Sequence, residues 1–211
     1  MTEQERSTEE IIFDAAQKVF IEKGFNGARM EEIAREASIN KALLHYYYRT
    51  KEKLFKAIFE RVFKSFVPNI LTFWDSDLPF FTKIERFVET YVNFIMKNPF
   101  IPNFIMNELN RNPDNIAEML GNATGIIQND LFGRFSEIIK KEIDAGNIRP
   151  IAPEQLMVNI LGLCIFPFVA RPVIQGIVFK GDKKSYQLFL ESRKKDVADF
   201  IINSIKIEKK V

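Results

Sequence analysis

MEEIAREASINKALLHYYYRTKEK, from Met30 to Lys53, is the stretch on which the reading of this chain turns. Met30, Ile33, Ala34 and Ala37 form one apolar stripe at helical spacing. Asn40 is a good helix cap, and a second short helix is expected from Lys41 to about Tyr47. Ala37-Ser38-Ile39 is the turn between them. Two short helices joined so tightly form a helix-turn-helix, whose second helix enters the DNA major groove. Ile33, Ala34, Ile39, Leu44 and Tyr48 are placed to hold both helices against a preceding one. Ala34 matters because only a small side chain lets two helices cross closely. Lys41, Ala42 and His45 then fall on one exposed arc, with Tyr46, Tyr47 and Lys51 at or beyond its C-terminal end.

The flanks agree. Upstream, Ile12, Ala15, Ala16, Val19 and Phe20 sit three and four apart. Ser7 with Glu10 has the spacing of a capping box, and Gly24 is expected to close that helix. Downstream, Thr50 caps a fourth helix running from Lys51 through Leu54, Ile58 and Val62 to about Pro68. Residues 1–53 carry nine Lys/Arg and ten Asp/Glu, whereas residues 40–64 carry seven and two. Positive charge is therefore concentrated on and just after the proposed reading helix, where phosphate neutralisation supplies affinity. The first amides of the fourth helix, with Lys51, offer a further phosphate site.

The whole chain has 211 residues, 46% hydrophobic and 27% charged, with a net charge of +2, so a packed core is expected and disorder is not. The longest apolar run, Ile160 to Ala170, is eleven residues, and a spanning helix needs about 20, so no membrane association is expected. The N-terminal Met1 to Glu10 is polar, without the apolar core of a signal peptide, and Cys164 is a lone cysteine; both lead us to expect a cytoplasmic protein. One cysteine and one histidine, His45, do not make an ordinary zinc site, and any nucleophilic triad would have to use His45. Neither an enzyme nor a cofactor or metal is expected.

Beyond residue 79 the spacing stays helical. Ile84, Phe87, Val88, Tyr91 and Ile95 form one stripe, and Pro99 and Pro102 mark a break and restart. Asn112-Pro113 opens another segment, and Leu131, Phe135, Ile138 and Ile139 belong to a helix ending near Ala145-Gly146-Asn147. A helix from about Glu154 is apolar nearly all round, and Pro167 and Pro172 must kink or end it. The last helix is expected from about Asp182 to Ile207, with Leu190, Val197, Ile201 and Ile205 inward. The expectation is an all-α chain of about nine helices: an N-terminal helix-turn-helix domain at 1–52 and a larger helical domain at 53–211.

The stretch around residues 8–55 resembles the TetR family of transcriptional regulators. The resemblance rests on Lys23-Gly24-Phe25, Ile33-Ala34-Arg35-Glu36-Ala37, Lys41, Leu44, Tyr46, Tyr48 and Lys51-Glu52-Lys53-Leu54. It implies a homodimer that binds double-stranded operator DNA and is released by a small effector. Position by position, it places Lys41 and Ala42 at base edges and His45 near a base or phosphate, with Tyr46, Tyr47 and Lys51 on the backbone. Arg29 stands where the family has Thr or Ser, and is assigned to a phosphate. Asn40 is included in the same DNA-facing set. Ser38 and Ala42 replace usual glycines, and His45 a usual tyrosine. The resemblance also implies a dimer interface on the last two long helices, through Leu161, Val197, Ile201 and Ile205. A two-fold dimer would set the reading helices about 34–36 Å apart. The chain's 21 phenylalanines suit an apolar or aromatic effector, with Phe63, Phe66, Phe94, Phe104, Met106, Phe135 and Phe166 as expected cavity residues. The alternative is a helical lipid- or ligand-binding protein that no longer binds DNA.

Overall fold

Ser7 caps the first helix with both bonds of the expected capping box: its Oγ accepts from the Glu10 amide at 3.2 Å, and its own amide donates to Glu10 Oε2 at 3.1 Å. The computed structural model to which this helix belongs describes residues 7–111, 118, 121 and 130–207. Among these residues are ten α-helices and no strand, as the all-α expectation requires. The segment opened by Asn112-Pro113 lies outside the described residues, as does the end of the lysine-rich tail. Two compact units form: Met1–Ser65 with Asn98–Thr124, and Phe66–Lys97 with Gly125–Val211.

In the first unit, α1 (Thr8–Gly27) does not end at Gly24. The glycine leaves helical geometry there (φ 68°, ψ 173°), the helix kinks, and it resumes to Gly27. Then follow α2 (Met30–Glu36) and α3 (Lys41–Tyr47). Their turn has both bonds of a Schellman motif: the Ser38 amide donates to Arg35 O and the Ile39 amide to Ala34 O, each at 3.0 Å. That motif needs a left-handed residue, and Ser38 supplies it at φ 55°. A serine held there costs about 1 kcal/mol relative to glycine.

The fourth helix, α4 (Lys51–Trp74), runs through Pro68 instead of stopping near it. A proline removes one helical donor, here the partner of the Lys64 carbonyl. Lys64 and Pro68 are both exposed, on a side of the helix where losing one backbone bond costs least, and the helix continues. The domain boundary expected at 52/53 would cut α4 near its start; the compact units divide inside it at 65/66, and residues 98–124 return to the first unit.

Phenylalanine packing explains that return. The Phe55 ring on α4 meets Phe20 (5.0 Å between centroids), Phe25 (5.1 Å), Phe100 (5.7 Å) and Phe104 (3.8 Å, stacked). Phe100 and Phe104 come from α6 (Phe100–Arg111), so a distant segment completes the core beneath the helix-turn-helix. Each pair adds about 0.5–1.5 kcal/mol beyond its burial.

The second unit packs α5 (Phe80–Lys97), α7 (Leu131–Asp144), α8 (Pro153–Val169) and α10 (Lys183–Ile205). The buried stripes are Ile84, Val88 and Val92 on α5, Leu156, Ile160 and Cys164 on α8, and Leu190, Val197 and Ile201 on α10. Pro167 deprives the Leu163 carbonyl of its helical donor, and Arg193 Nη2 replaces it at 2.8 Å. Beyond Val169 the chain bends by 59° into α9 (Arg171–Val173) and a π-turn, Ile174–Val178. Burial pushes the Cys164 thiol up to about 12, against the nearby Arg193 charge, so it stays protonated at neutral pH.

Phe55→Ala removes the centre of the ring cluster. We expect a loss of about 3–5 kcal/mol, read as a lowered denaturant midpoint of unfolding. A loss below about 1 kcal/mol would show that the neighbouring rings can close the gap.

Candidate nucleic-acid interface

Asn40 Oδ1 accepts the Leu43 amide at 2.7 Å and so starts α3 as expected. From that cap the helix buries Leu44 and turns Lys41, Ala42 and Tyr46 outward. Tyr46 is 82% exposed, and its ring meets Tyr47 edge-on at 5.6 Å. Tyr48 instead packs its ring 5.9 Å from Phe13, holding the end of α3 to α1. Desolvation raises the Tyr48 phenol, as its inward position requires.

His45 is half-buried, and its Nδ1 lies 3.1 Å from the Arg49 carbonyl. A carbonyl only accepts, so that contact requires the proton on Nδ1. In the neutral ring Nε2 is then an acceptor, suited to a base amino group.

The cations around α3 are less free than their count suggests. Lys41 pairs with Glu31 on α2, and this contact holds the Glu31 carboxyl below its usual range. Arg61 sits 3.9 Å from Glu10 and 4.8 Å above the Phe13 ring. Lys51 Nζ donates to the carbonyls of Phe25 at 2.7 Å and Ala28 at 3.1 Å, and lies 4.6 Å over the Phe25 ring. Two of its three donors thus close the C-terminal end of α1, a role that the sequence did not disclose. Arg29, Arg49 and Lys53 are exposed and make no ion pair among the described residues. Arg29 precedes α2 without a side-chain cap bond, in line with the loss of the usual Ser or Thr. Lys23 ties α2 to α1 through Glu32 at 2.7 Å.

Two family models match this chain. One describes "Bacterial regulatory proteins, tetR family" and covers residues 12–58; the other describes a "Tetracyclin repressor-like, C-terminal domain" and covers residues 81–201. The chain belongs to the TetR family. Among curated relatives, the transcriptional repressor NicS of Pseudomonas putida is 42% identical over 59 residues, 28% of this chain and 28% of NicS. The transcriptional regulator RutR of Escherichia coli K12 is 26% identical over 150 residues, 71% of this chain and 68% of RutR. A Haemophilus influenzae regulator is matched over 49% of its length, so the chain spans half or less of two of these three relatives. Solved structures share the fold. The regulator FadR of Bacillus subtilis, in complex with stearoyl-CoA, superposes with a TM-score of 0.65 at 14% identity over 92% of this chain and 97% of that one. A TetR/AcrR regulator of Thermobifida fusca gives 0.64 at 16% identity over 90% and 96%.

The seven expected cavity residues are divided between the two units. Phe63 stacks on Phe59 (4.3 Å) and Phe104 on Phe55, both within the first unit. Phe66 stacks on Phe94 (4.1 Å) and Phe135 meets Trp74 edge-on (5.5 Å) in the second. Met106 is 41% exposed and Phe166 is 63% exposed, because each lies on the outer arc of its helix. A groove of about 240 Å³ between α1 and α4 is lined by Phe13, Gln17, Ile58, Arg61 and Val62, among others, and contains none of the seven.

The expected interface residues also differ. Val197, Ile201 and Ile205 lie on the inward stripe of α10 and are fully buried within the chain, and Leu161 is half-buried. On the two long helices the exposed apolar side chains include Val158 and Phe166 on α8 and Leu188 and Phe200 on α10; Val173, Ile177 and Val178, just beyond α8, are exposed as well. Among the described residues no single helix is long and apolar enough to cross a membrane.

Lys51→Met keeps the aliphatic stem and removes the donors. We expect a lower melting temperature without any DNA present, equivalent to about 1.5–3 kcal/mol. An unchanged melting temperature would return Lys51 to a purely DNA-facing role.

Proposed function

We propose that the chain is a transcriptional repressor that grips operator DNA as a homodimer and lets go when a small apolar or aromatic effector binds. The outward face of α3 carries this reading: Lys41, Ala42, His45 and Tyr46 project from a helix whose inner side is sealed by Leu44. Lys41 and His45 meet base edges, Ala42 leaves room in the groove, and Tyr46 and Tyr47 hold the sugar-phosphate backbone. Arg29, Arg49 and Lys53, without an ion pair among the described residues, meet phosphates. Asn40 fixes the start of the helix and keeps its amide hydrogens for a phosphate. Lys51 holds one donor for the same purpose.

The dimer forms through the outward arcs of α8 and α10. Val158, Gly162 and Phe166 follow one another at four-residue spacing, and apart from its own helix backbone nothing lies within 4 Å of where a Cβ at Gly162 would stand. A second helix can approach closely there, while Phe166 and Phe200 supply apolar area. NicS, named a repressor, and the stearoyl-CoA bound by FadR support repression and an apolar effector. Phe66, Phe94, Trp74 and Phe135 make the aromatic environment for it in the second unit. The effector acts by preferring one arrangement of the dimer, with a coupling of about 1–3 kcal/mol.

Duplexes selected from a random pool test the reading. Lys41→Ala should change the selected sequence by roughly 1–3 kcal/mol at the affected base pair, and log affinity should fall linearly with log salt. Selection of the same sequence by the variant would remove Lys41 from base recognition. Phe166→Glu should convert the dimer to monomers in a sedimentation experiment, and Ile205→Glu should unfold the second unit instead. A full-sized Phe166→Glu dimer would move the interface elsewhere.

A further inference from the structure

We infer that Glu31 is a positioning residue for sequence discrimination: by pairing with Lys41 it withholds that cation from phosphates and presents it to base edges. The inference rests on the reading that α3 enters the major groove. Glu31 stands in the first turn of α2 and Lys41 at the first position of α3, and the turn at Ser38 brings the two together. Both side chains remain more than half exposed, so the pair lies open on the proposed DNA-facing surface rather than inside the core.

The two partners a lysine can find on DNA respond differently to this pairing. Binding a phosphate gains affinity by releasing a condensed counterion, and a lysine already neutralised by a carboxylate brings no net charge to do so. Moving Lys41 to a phosphate would also leave Glu31 unpaired beside a polyanion. A base edge is recognised by directed hydrogen bonds. The ammonium has three donors and Glu31 engages one of them, which leaves two for acceptors such as O6 and N7 of guanine. An exposed glutamate is ionised at neutral pH, and the Lys41 contact lowers the Glu31 carboxyl further, so both partners are charged under ordinary conditions. Among the described residues Arg29, Arg49 and Lys53 have no such carboxylate, and they remain for phosphates.

The test uses Glu31→Gln, Lys41→Gln and the double variant in the full chain. Each is titrated against a duplex selected by the unaltered chain and against a random-sequence duplex, over a series of salt concentrations. Glu31→Gln should tighten random-duplex binding several-fold and steepen its salt dependence by about 0.9 in log–log slope, one added phosphate contact. Affinity for the selected duplex should change far less, so the preference narrows. On the Lys41→Gln background the same change should have at most about a two-fold effect. An effect as large in that background would mean that Glu31 simply repels phosphates, and would overturn the inference. Equal tightening on both duplexes, or no change in preference, would overturn it as well. If Lys41→Gln alone left both affinities unchanged, Lys41 would meet neither bases nor phosphates and the inference would fall, whereas failure of the unaltered chain to select any duplex would remove the parent proposal.

Discussion

Packing around Phe55 decides whether the helix-turn-helix has anything to stand on. α2 and α3 have seven residues each, too short to persist as isolated helices. They are held by α1, and α1 is held in turn by the rings of Phe20 and Phe25 against Phe55, Phe100 and Phe104. Lys51 fastens the same place from above, with its ammonium on the Phe25 ring and on two carbonyls where α1 ends. A surface that must present a few side chains in register to a duplex thus depends on an aromatic core that includes a helix some fifty residues further along.

Electrostatics at this surface is organised by pairing more than by total charge. The seven cations of residues 40–64 look like one basic patch in the sequence. In the fold, Lys41 faces Glu31, Arg61 faces Glu10, and Lys51 faces carbonyl oxygens. Of the other four, which make no ion pair among the described residues, Arg49 follows α3 directly and Lys53, Lys56 and Lys64 are spread along α4. Such an arrangement favours correct alignment over indiscriminate attraction to any duplex.

Much of the fold was legible. Helical periodicity, the Ser7–Glu10 box, the Asn40 cap and the Ala37-Ser38-Ile39 turn all appear where the residues indicated, because each is a local device set by neighbours in sequence. Prolines misled in one place: Pro68 breaks no helix, and it stands on an exposed side of α4. The Lys41–Glu31 and Lys51–Phe25 contacts join residues 10 and 26 positions apart, and nothing local announces them. The cavity and interface residues were least legible. Phenylalanine content does not say which rings fill the core, and an inward stripe such as Val197, Ile201 and Ile205 has the same spacing as an outward one. The outer arc of α8, with Val158 and Phe166, was hidden because that helix is apolar nearly all round.

At Pro167 the missing backbone donor is replaced from another helix by Arg193, which reaches the Leu163 carbonyl. The two positions are therefore bound to a common history. Losing the guanidinium alone strands an oxygen, and regaining an amide at 167 alone evicts a guanidinium from its niche. Descendants of this chain should change both or neither, so that proline and arginine are inherited as a unit.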